Sequence, residues 1–542
     1  MKPLSTRTAL IIASFWHGLV SLLLAGVILS LWMGNTFGDI AVWVKWVLTG
    51  LMLALAVGNG LASLWLAQRK SQGRIASLAS NYLLLVIALS LDLHFLGVFT
   101  GIDALGNTFG AGLPALILAG AGYFISVQGE DRPKTARTFK WVGQALMAVG
   151  GIVFLWQIQT LSGLFFLGKA LLASPLCMLL TTLIILCAMG LWLIWRRPTA
   201  EALGVSHMQD EALNGYLFLS PNFLGFLFFF AGPLLLSLYV SFTNWDAFGT
   251  RDWIGLTNYA RIFNLTVQPL TSADQLARTA IDVKIYDELT RVNLFGNYFI
   301  VGAQDKVFWL AMRNTLLYVL FTVPLSVIPA LVLAVILNSP LPGMRFYRTI
   351  FFIPSIAAVV GIGLVWQWLY NAAIGWVNYF ITVGTGFLHI SDPQIRWLSD
   401  AGTAMLAVVI MAAWQTMGFN SVLFLAGLQN ISRELYEAAT VDGAGNWAKF
   451  WKITLPLLAP TTFFVVSTTT IQALQVFEPI YILTNPLGGP NNSTLTLVPF
   501  LYQKGFQDFK QGYASAVAWV LFLVIFIFTL AQFQRQSKAE GN

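Results

Sequence analysis

Polar side chains are scarce in this sequence, so those that fall inside apolar runs mark where chemistry could take place. Trp414, Gln415, Gly418 and Asn420 share one such run; Thr468, Thr469, Gln472, Gln475 and Glu478 share another; and Ser355 follows Pro354 in a third. Amides, hydroxyls and an indole can replace the water around a polar solute, because a hydroxyl stripped of water needs a new partner. The same residue types also bond neighbouring helices inside a membrane, and the sequence leaves both uses open.

Catalytic arrangements are harder to assemble. Asp92 and His94 lie in an apolar run, where ionisable groups are functional candidates, but two residues apart on a helix they point about 200° from each other. His17 and His389 are isolated, and no metal-ligand spacing or catalytic triad can be drawn. Gly163 to Ala170 follows GxxxxGK, yet it ends in Ala170 where a Mg²⁺-binding hydroxyl is needed, and no strand precedes it. Cys177 and Cys187, ten apart in one helical run, would sit about 15 Å apart and cannot bridge. No nucleotide, metal or other cofactor is expected on this chain.

The elements that must carry the polar residues follow from composition. Charged residues make up 10% of the 542 and hydrophobic ones 57%, against roughly 25% charged in soluble domains. That surface cannot be clothed in water, which excludes a cytosolic enzyme, a disordered tail protein and a single-span anchor. Apolar runs at 9–33, 47–67, 77–97, 111–127, 141–160, 173–195, 217–241, 310–337, 349–370, 403–427, 457–483 and 513–533 give about 12 transmembrane helices, each near the roughly 20 residues a span requires. The run after Met1–Arg7 is too long for a signal-peptide core and reads as a retained first span.

Orientation comes from the Lys/Arg bias of alternate loops. Lys2 and Arg7, then Arg69, Lys70 and Arg74, then Arg132, Lys134, Arg137 and Lys140, then Arg196 and Arg197 fall on one side; the opposite loops carry only Lys45 and Lys169. Arg345, Arg348, Arg433, Lys449, Lys452, Arg535 and Lys538 keep that side, so both termini are expected in the cytoplasm. Polar residues 196–216 read as a cytoplasmic linker. It divides an N-terminal bundle of six spans, 1–200, from a second half, 201–542, with an external loop or small cap at 242–309.

A cytoplasmic stretch within 430–455 has a definite grammar: Glu437-Ala438-Ala439, three residues, Gly443, nine residues, then Ile453-Thr454-Leu455-Pro456 opening the next span. Ser432 can cap a short amphipathic helix, Glu434 suits the positive end of its dipole, and Gly443 permits a turn of positive φ. This string resembles, position for position, the EAA signature of permease subunits of binding-protein-dependent ABC importers. The resemblance covers 217–535 and is closest to the sugar importers of the maltose type, on the side of their F subunit. Tyr239 to Trp245, Arg313-Asn314-Thr315, Arg348 to Pro354, Tyr481 to Thr484, Gly488-Gly489-Pro490 and Gly512 to Ala516 support it. Residues 1–200 and the inserted Asn485-Pro486-Leu487 depart from the pattern.

The resemblance implies an all-α polytopic protein of the bacterial inner membrane, with a six-helix type I importer core behind a six-helix N-terminal extension. It implies that Glu437, Ala438, Ala439, Asp442 and Gly443 dock as a coupling helix on a separate ATPase subunit. ATP and Mg²⁺ would sit on two such subunits, and a second permease and an external solute-binding protein would complete the complex. Trp414, Gln415, Gly418 and Ser355 fall where the maltose-type F subunit places its sugar-site segments, and Asn420, Thr468, Thr469, Gln472 and Gln475 are expected on the same path from their chemistry; Glu478 lies where the sugar permeases commonly carry an acid, structural or part of the path rather than a proton carrier. An ion-coupled secondary transporter is the alternative; it would need buried core carboxylates and no docking helix. A membrane-embedded enzyme is a third class, lacking a clustered acid/base set. The N-terminal bundle is expected to be accessory.

Overall fold

The computed structural model describes residues 5–33, 42–98, 102–128, 136–339 and 342–540. Lys2, Arg132 and Lys134 of the charge pattern lie outside the described residues. The chain forms two compact units, Met1–Phe223 and Leu224–Asn542. Among the described residues, nine helices are long and apolar enough to cross a membrane, and two bent pairs raise that to eleven. Eleven of the twelve expected runs map onto these; the run at 111–127 appears as the shorter apolar helix Gly112–Val127.

The N-terminal unit is built from α1 (Thr6–Met33), α2 (Val42–Ala67), α3 (Ser71–Phe95), α4 (Ile102–Gln128), α5 (Ala136–Gln157), α6 (Thr160–Ala173), α7 (Pro175–Trp195), α8 (Arg197–Ala202) and the first part of α9 (His207–Phe226). Packing between membrane helices relies on close approach of small residues. Gly122 of α4 and Gly143 of α5 show it: a Cβ on Gly122 would sit 2.7 Å from the Gly143 carbonyl oxygen. The stretch expected as an external loop at 161–172 is helical instead, as α6, and it encloses the GxxxxGK string, with no strand before it among the described residues.

The linker expected at 196–216 is also largely helical. Leu203 is buried in a cluster with Leu10, Leu66, Leu78 and Ile194, and the Arg74 guanidinium, itself buried, meets Asp210 at 2.6 Å and the Trp195 carbonyl at 3.3 Å. Those contacts fix the first turns of α9 to the N-terminal unit, so the division falls after Phe223. Asp92 and His94 diverge: Asp92 is buried and accepts from Thr181 Oγ1 at 2.9 Å, whereas His94 is exposed.

His17 is fully buried in the same unit. Asn59 donates its amide to the Leu55 carbonyl, which leaves its oxygen facing His17 Nδ1 at 2.7 Å; that nitrogen therefore carries the proton. Nε2 then accepts from Ser77 Oγ at 2.7 Å and from Asn81 Nδ2 at 3.3 Å, and Asn81 Oδ1 accepts from Trp16. One imidazole thus joins α1, α2 and α3.

The C-terminal unit continues α9 through a π-helical turn, Leu227–Ala231, into α10 (Gly232–Ser241). Pro233 lacks an N–H and crowds the preceding turn, which the wider π turn accommodates. The insertion at 242–309 follows: α11 (Thr257–Phe263), then strands β1 (Leu265–Leu270), β2 (Asp287–Leu294) and β3 (Asn297–Ala303) in an antiparallel sheet ordered β1-β3-β2. Phe295 and Gly296, both at positive φ, make the tight β2–β3 turn, and Ile300 packs on Leu270 and Ile281 as a small core. Arg291 bonds Glu288 at 2.8 Å and holds its carboxyl below the usual carboxylate range.

Beyond the cap, α12 (Lys306–Leu337) is followed by α13 (Met344–Ile356) and α14 (Val359–Leu369), which meet at 97°. After α15 (Trp376–Phe387) comes the long α16 (Ala404–Gln429) and the short α17 (Arg433–Val441) and α18 (Asn446–Lys449). A second π turn leads to α19 (Leu455–Leu457), and α20 (Ala459–Leu474) leaves that segment at 65°. The small α21 (Glu478–Leu483) and α22 (Leu497–Tyr502) precede the last span, α23 (Gln511–Glu540).

The His17 network yields a stability test. Replacing His17 with Leu strands Asn59, Ser77 and Asn81 among apolar neighbours, which should cost about 1 to 3 kcal/mol. The thermal unfolding midpoint of the full-length protein in detergent is expected to fall; an unchanged midpoint would mean the network contributes no stability.

Candidate functional site

Two places in the C-terminal unit collect the polar residues singled out from sequence. The first is the turn around α17. Ser432 Oγ accepts the Glu434 N–H at 3.2 Å and caps the helix. At the other end Gly443 N–H bonds the Thr440 carbonyl and Ala444 N–H the Ala439 carbonyl, a Schellman closure with Gly443 at φ +77°. A side chain at 443 would be strained there, which explains the glycine. Tyr436 and Thr454 hydroxyls meet at 2.9 Å and Lys449 Nζ bonds Thr440 Oγ1 at 2.7 Å, so α17 is braced against the segment that opens the next span.

Bracing leaves the outer face of α17 free. Glu437, Ala438, Asp442 and Gly443 are exposed and Ala439 is half-buried. Val441 is 89% exposed and Trp447 75%, large apolar surface set among charged residues. The geometry suits a rigid lever that presents small residues and the carboxylates of Glu437 and Asp442 to a partner.

The second place is a cavity of about 570 Å³ at two helix breaks. Ser355 stands where α13 ends, and Gln475 and Glu478 flank the gap between α20 and α21. Gln415 of α16 and Thr469 and Gln472 of α20 complete the set. Non-helical backbone at membrane depth is tolerated where it lines a cavity, so breaks and cavity belong together. Pro354 and Pro479 favour the breaks, each lacking the N–H a continuous helix needs. Gln415 is buried yet makes no side-chain hydrogen bond among the described residues, and Gln472, Gln475 and Glu478 are exposed in the cavity walls.

Four of the expected path residues are not brought into this cavity. Trp414 packs its ring on Trp366, centroids 5.6 Å apart. Gly418 lies where a Cβ would strike the Phe351 carbonyl, so it serves the contact of α16 with α13. Thr468 Oγ1 donates to the Phe464 carbonyl of its own helix at 2.8 Å. Asn420, also buried, donates to Ser326 Oγ of α12 at 2.9 Å and to Thr469 Oγ1 of α20 at 3.2 Å; it joins three helices and holds Thr469 in place.

Sequence reading missed Tyr318, Thr322, Thr416, Phe419 and Phe477, which also line the cavity. Helical spacing held the signal: Phe419 is four residues after Gln415, and Tyr318 and Thr322 are four apart on α12. Phe477 also heads an aromatic group with Tyr481 and Tyr502.

The segments around α22 and the start of α23 are knotted by residues already conspicuous in the sequence. Asn314 Nδ2 donates to the Asn492 and Leu495 carbonyls, and Thr315 Oγ1 accepts the Leu497 N–H at 2.9 Å, fixing the loop before α22. Gly512 N–H bonds the Trp245 carbonyl, and Tyr513 donates to Asp305 Oδ2 at 2.7 Å, while Asp305 caps α12.

Gln415 and Asn420 should therefore separate in a stability assay. Asn420→Leu removes the three-helix junction and is expected to destabilise the protein by about 1 to 3 kcal/mol, read as a lowered unfolding midpoint. Gln415→Leu should leave that midpoint unchanged. Equal loss in both variants would contradict the division.

Comparison with known proteins gives the family. The family described as binding-protein-dependent transport system inner membrane component matches residues 312–537. The Bacillus subtilis (strain 168) protein described as "Probable ABC transporter permease protein YesP" is 33% identical over 62% of this chain and 95% of its own length. The lactose transport system permease protein LacF of Rhizobium radiobacter is 35% identical over 42% of this chain and 76% of its own. The arabinooligosaccharides transport system permease protein AraP of Bacillus subtilis (strain 168) is 31% identical over 60% and 90%. The expected multi-pass helical fold and the EAA string are those of this family. With relatives at this identity matched almost end to end, the chain belongs to the binding-protein-dependent transport system inner membrane components, as a multi-pass permease of the ABC type.

Proposed function

We propose that this permease imports a carbohydrate or a similar polyhydroxylated osmolyte, delivered by an external solute-binding protein and driven by ATP hydrolysis on two separate ATPase subunits. It pairs with a second permease, and ATP and Mg²⁺ are held by the ATPases. Both termini and α17 face the cytoplasm, as the loop charges imply. The N-terminal bundle is accessory to the path.

The observation that carries this reading is the braced and capped α17 with its bare outer face. A lever of this kind transmits a partner's closure to the helices it is tied to, and performs no chemistry itself. Through Tyr436 and Thr454 it is joined to the segment leading into α20, which carries Thr469 and Gln472 of the cavity. The cavity chemistry supports the solute class. Gln415, Gln472, Gln475 and Glu478 supply donors and acceptors for hydroxyls, and Phe419 and Phe477 supply apolar faces for the carbon skeleton. The relatives' names point the same way, naming lactose and arabinooligosaccharides as what those proteins transport.

An ion-coupled transporter would require a buried carboxylate in the path. Among the described residues of the C-terminal unit the buried carboxylate is Asp305, which caps α12 and accepts from Tyr513.

Proteoliposomes containing the full complex test the reading. Uptake should require ATP on the α17 side and be indifferent to sodium or proton gradients; gradient-driven uptake without ATP would overturn it. In the same assay Glu437→Lys reverses the docking charge and Gly443→Asp strains the turn, so both should abolish uptake while the chain remains inserted. Normal uptake with ATPase copurification in both would remove α17 from the mechanism.

A further inference from the structure

The N-terminal unit carries a groove of about 880 Å³ between α1 and α2, and its chemistry differs from that of the cavity in the core. At one end stand Arg7 and Arg69. Of the basic residues at that end, Arg74 is committed to Asp210 and to the Ile194 and Trp195 carbonyls. Arg7 and Arg69 are exposed, and their guanidinium groups have no ion pair or hydrogen bond among the described residues. Arg69 sits at φ +54° just past α2, which sets it at the groove mouth rather than along the helix.

The rest of the groove is apolar. Its floor is a seam of small residues whose hydroxyls are already used: Ser14 Oγ donates to the Ser63 carbonyl at 2.8 Å, Ser63 Oγ to the Ser14 carbonyl at 2.7 Å, and Ser21 Oγ to the Ala56 carbonyl at 2.8 Å. Its walls are Phe15, 73% exposed, Leu22, also 73%, and Leu64, 58%. From Arg7 to Leu22 the helix rises about 23 Å, more than one leaflet of a hydrocarbon core about 30 Å thick.

We infer that this groove is a site for an anionic phospholipid, its phosphate held by Arg7 and Arg69 and one acyl chain laid along the α1/α2 seam. Two unpaired guanidinium groups suit a phosphate, which accepts bidentate bonds. A floor with no free donor and walls of Phe and Leu suit a hydrocarbon chain. A helix from a second copy would bury the walls equally well but would leave both charges without a counter-ion, so the charge decides for the lipid.

Photoactivatable phosphatidylglycerol, with its reactive group on the acyl chain, tests this on the full-length protein in phosphatidylcholine vesicles. Label is expected in α1 and α2 around Phe15 and Leu64, competed by unlabelled phosphatidylglycerol but not by phosphatidylcholine or inorganic phosphate. At the strength of one basic residue near an anionic surface, Arg7→Gln or Arg69→Gln should weaken apparent affinity about fivefold, and the double variant about thirtyfold. Arg7→Lys/Arg69→Lys, which keeps the charge but loses the bidentate fork, should label more weakly than the native protein and more strongly than the double Gln variant. Equal labelling by photoactivatable phosphatidylcholine, unchanged labelling in the double Gln variant, or crosslinks from α1 to a second copy in place of lipid would each overturn the site.

Discussion

The transport core depends on the junction at Asn420. Its amide reaches Ser326 on α12 and Thr469 on α20, and Ser326 in turn meets the Thr416 hydroxyl at 2.8 Å. Inside a bilayer the hydrophobic effect does not draw helices together, so polar contacts and close small-residue packing must do it. The carboxamide makes the polar contact, and Gly418, half a turn away, allows α13 to lie against α16. Three helices and a fourth half-helix thus have one mutual arrangement, and the cavity above them inherits its shape.

Breaking helices near that junction creates both the cavity and the means to work it. Pro354, near the end of α13, and Pro479, in the first turn of α21, stand at the breaks, and the freed backbone faces a space rather than lipid. The loops at that end are then held by side chains that reach across the unit, Asn314 and Thr315 to the segment 492–497, Tyr513 to Asp305. At the other end α17 is tied to the segment leading into α20 by the Tyr436–Thr454 contact. A displacement of α17 is therefore delivered to a helix that carries cavity residues.

Much of this was legible in the sequence because it rests on local rules. Apolar length located the spans, and Ser432, Glu434 and Gly443 announced a capped helix with a left-handed stop, each found as expected. Gln415, Ser355, Thr469, Gln472, Gln475 and Glu478 do converge. What could not be read was decided by tertiary contact. Asn420 and Gln415 look alike as amides in an apolar run, and only the position of Ser326 and Thr469 turns one into a junction and leaves the other facing the cavity. The linker at 196–216 looked polar and loose, yet Arg74 of a distant helix captures Asp210 and orders it. The 97° bend between α13 and α14 was hidden because both halves are apolar and the run reads as one span.

The central claim is that α17 is the contact through which an ATPase moves this permease. Cysteine placed at Ala438 tests it most directly, since the native Cys177 and Cys187 are both buried and give little background. With a short bifunctional thiol reagent in the assembled complex, the account predicts a crosslink from residue 438 to the ATPase subunit, with a yield that changes when ATP is hydrolysed. A complex that hydrolyses ATP and transports normally while residue 438 stays open to a bulky thiol reagent and never crosslinks to the ATPase would contradict it.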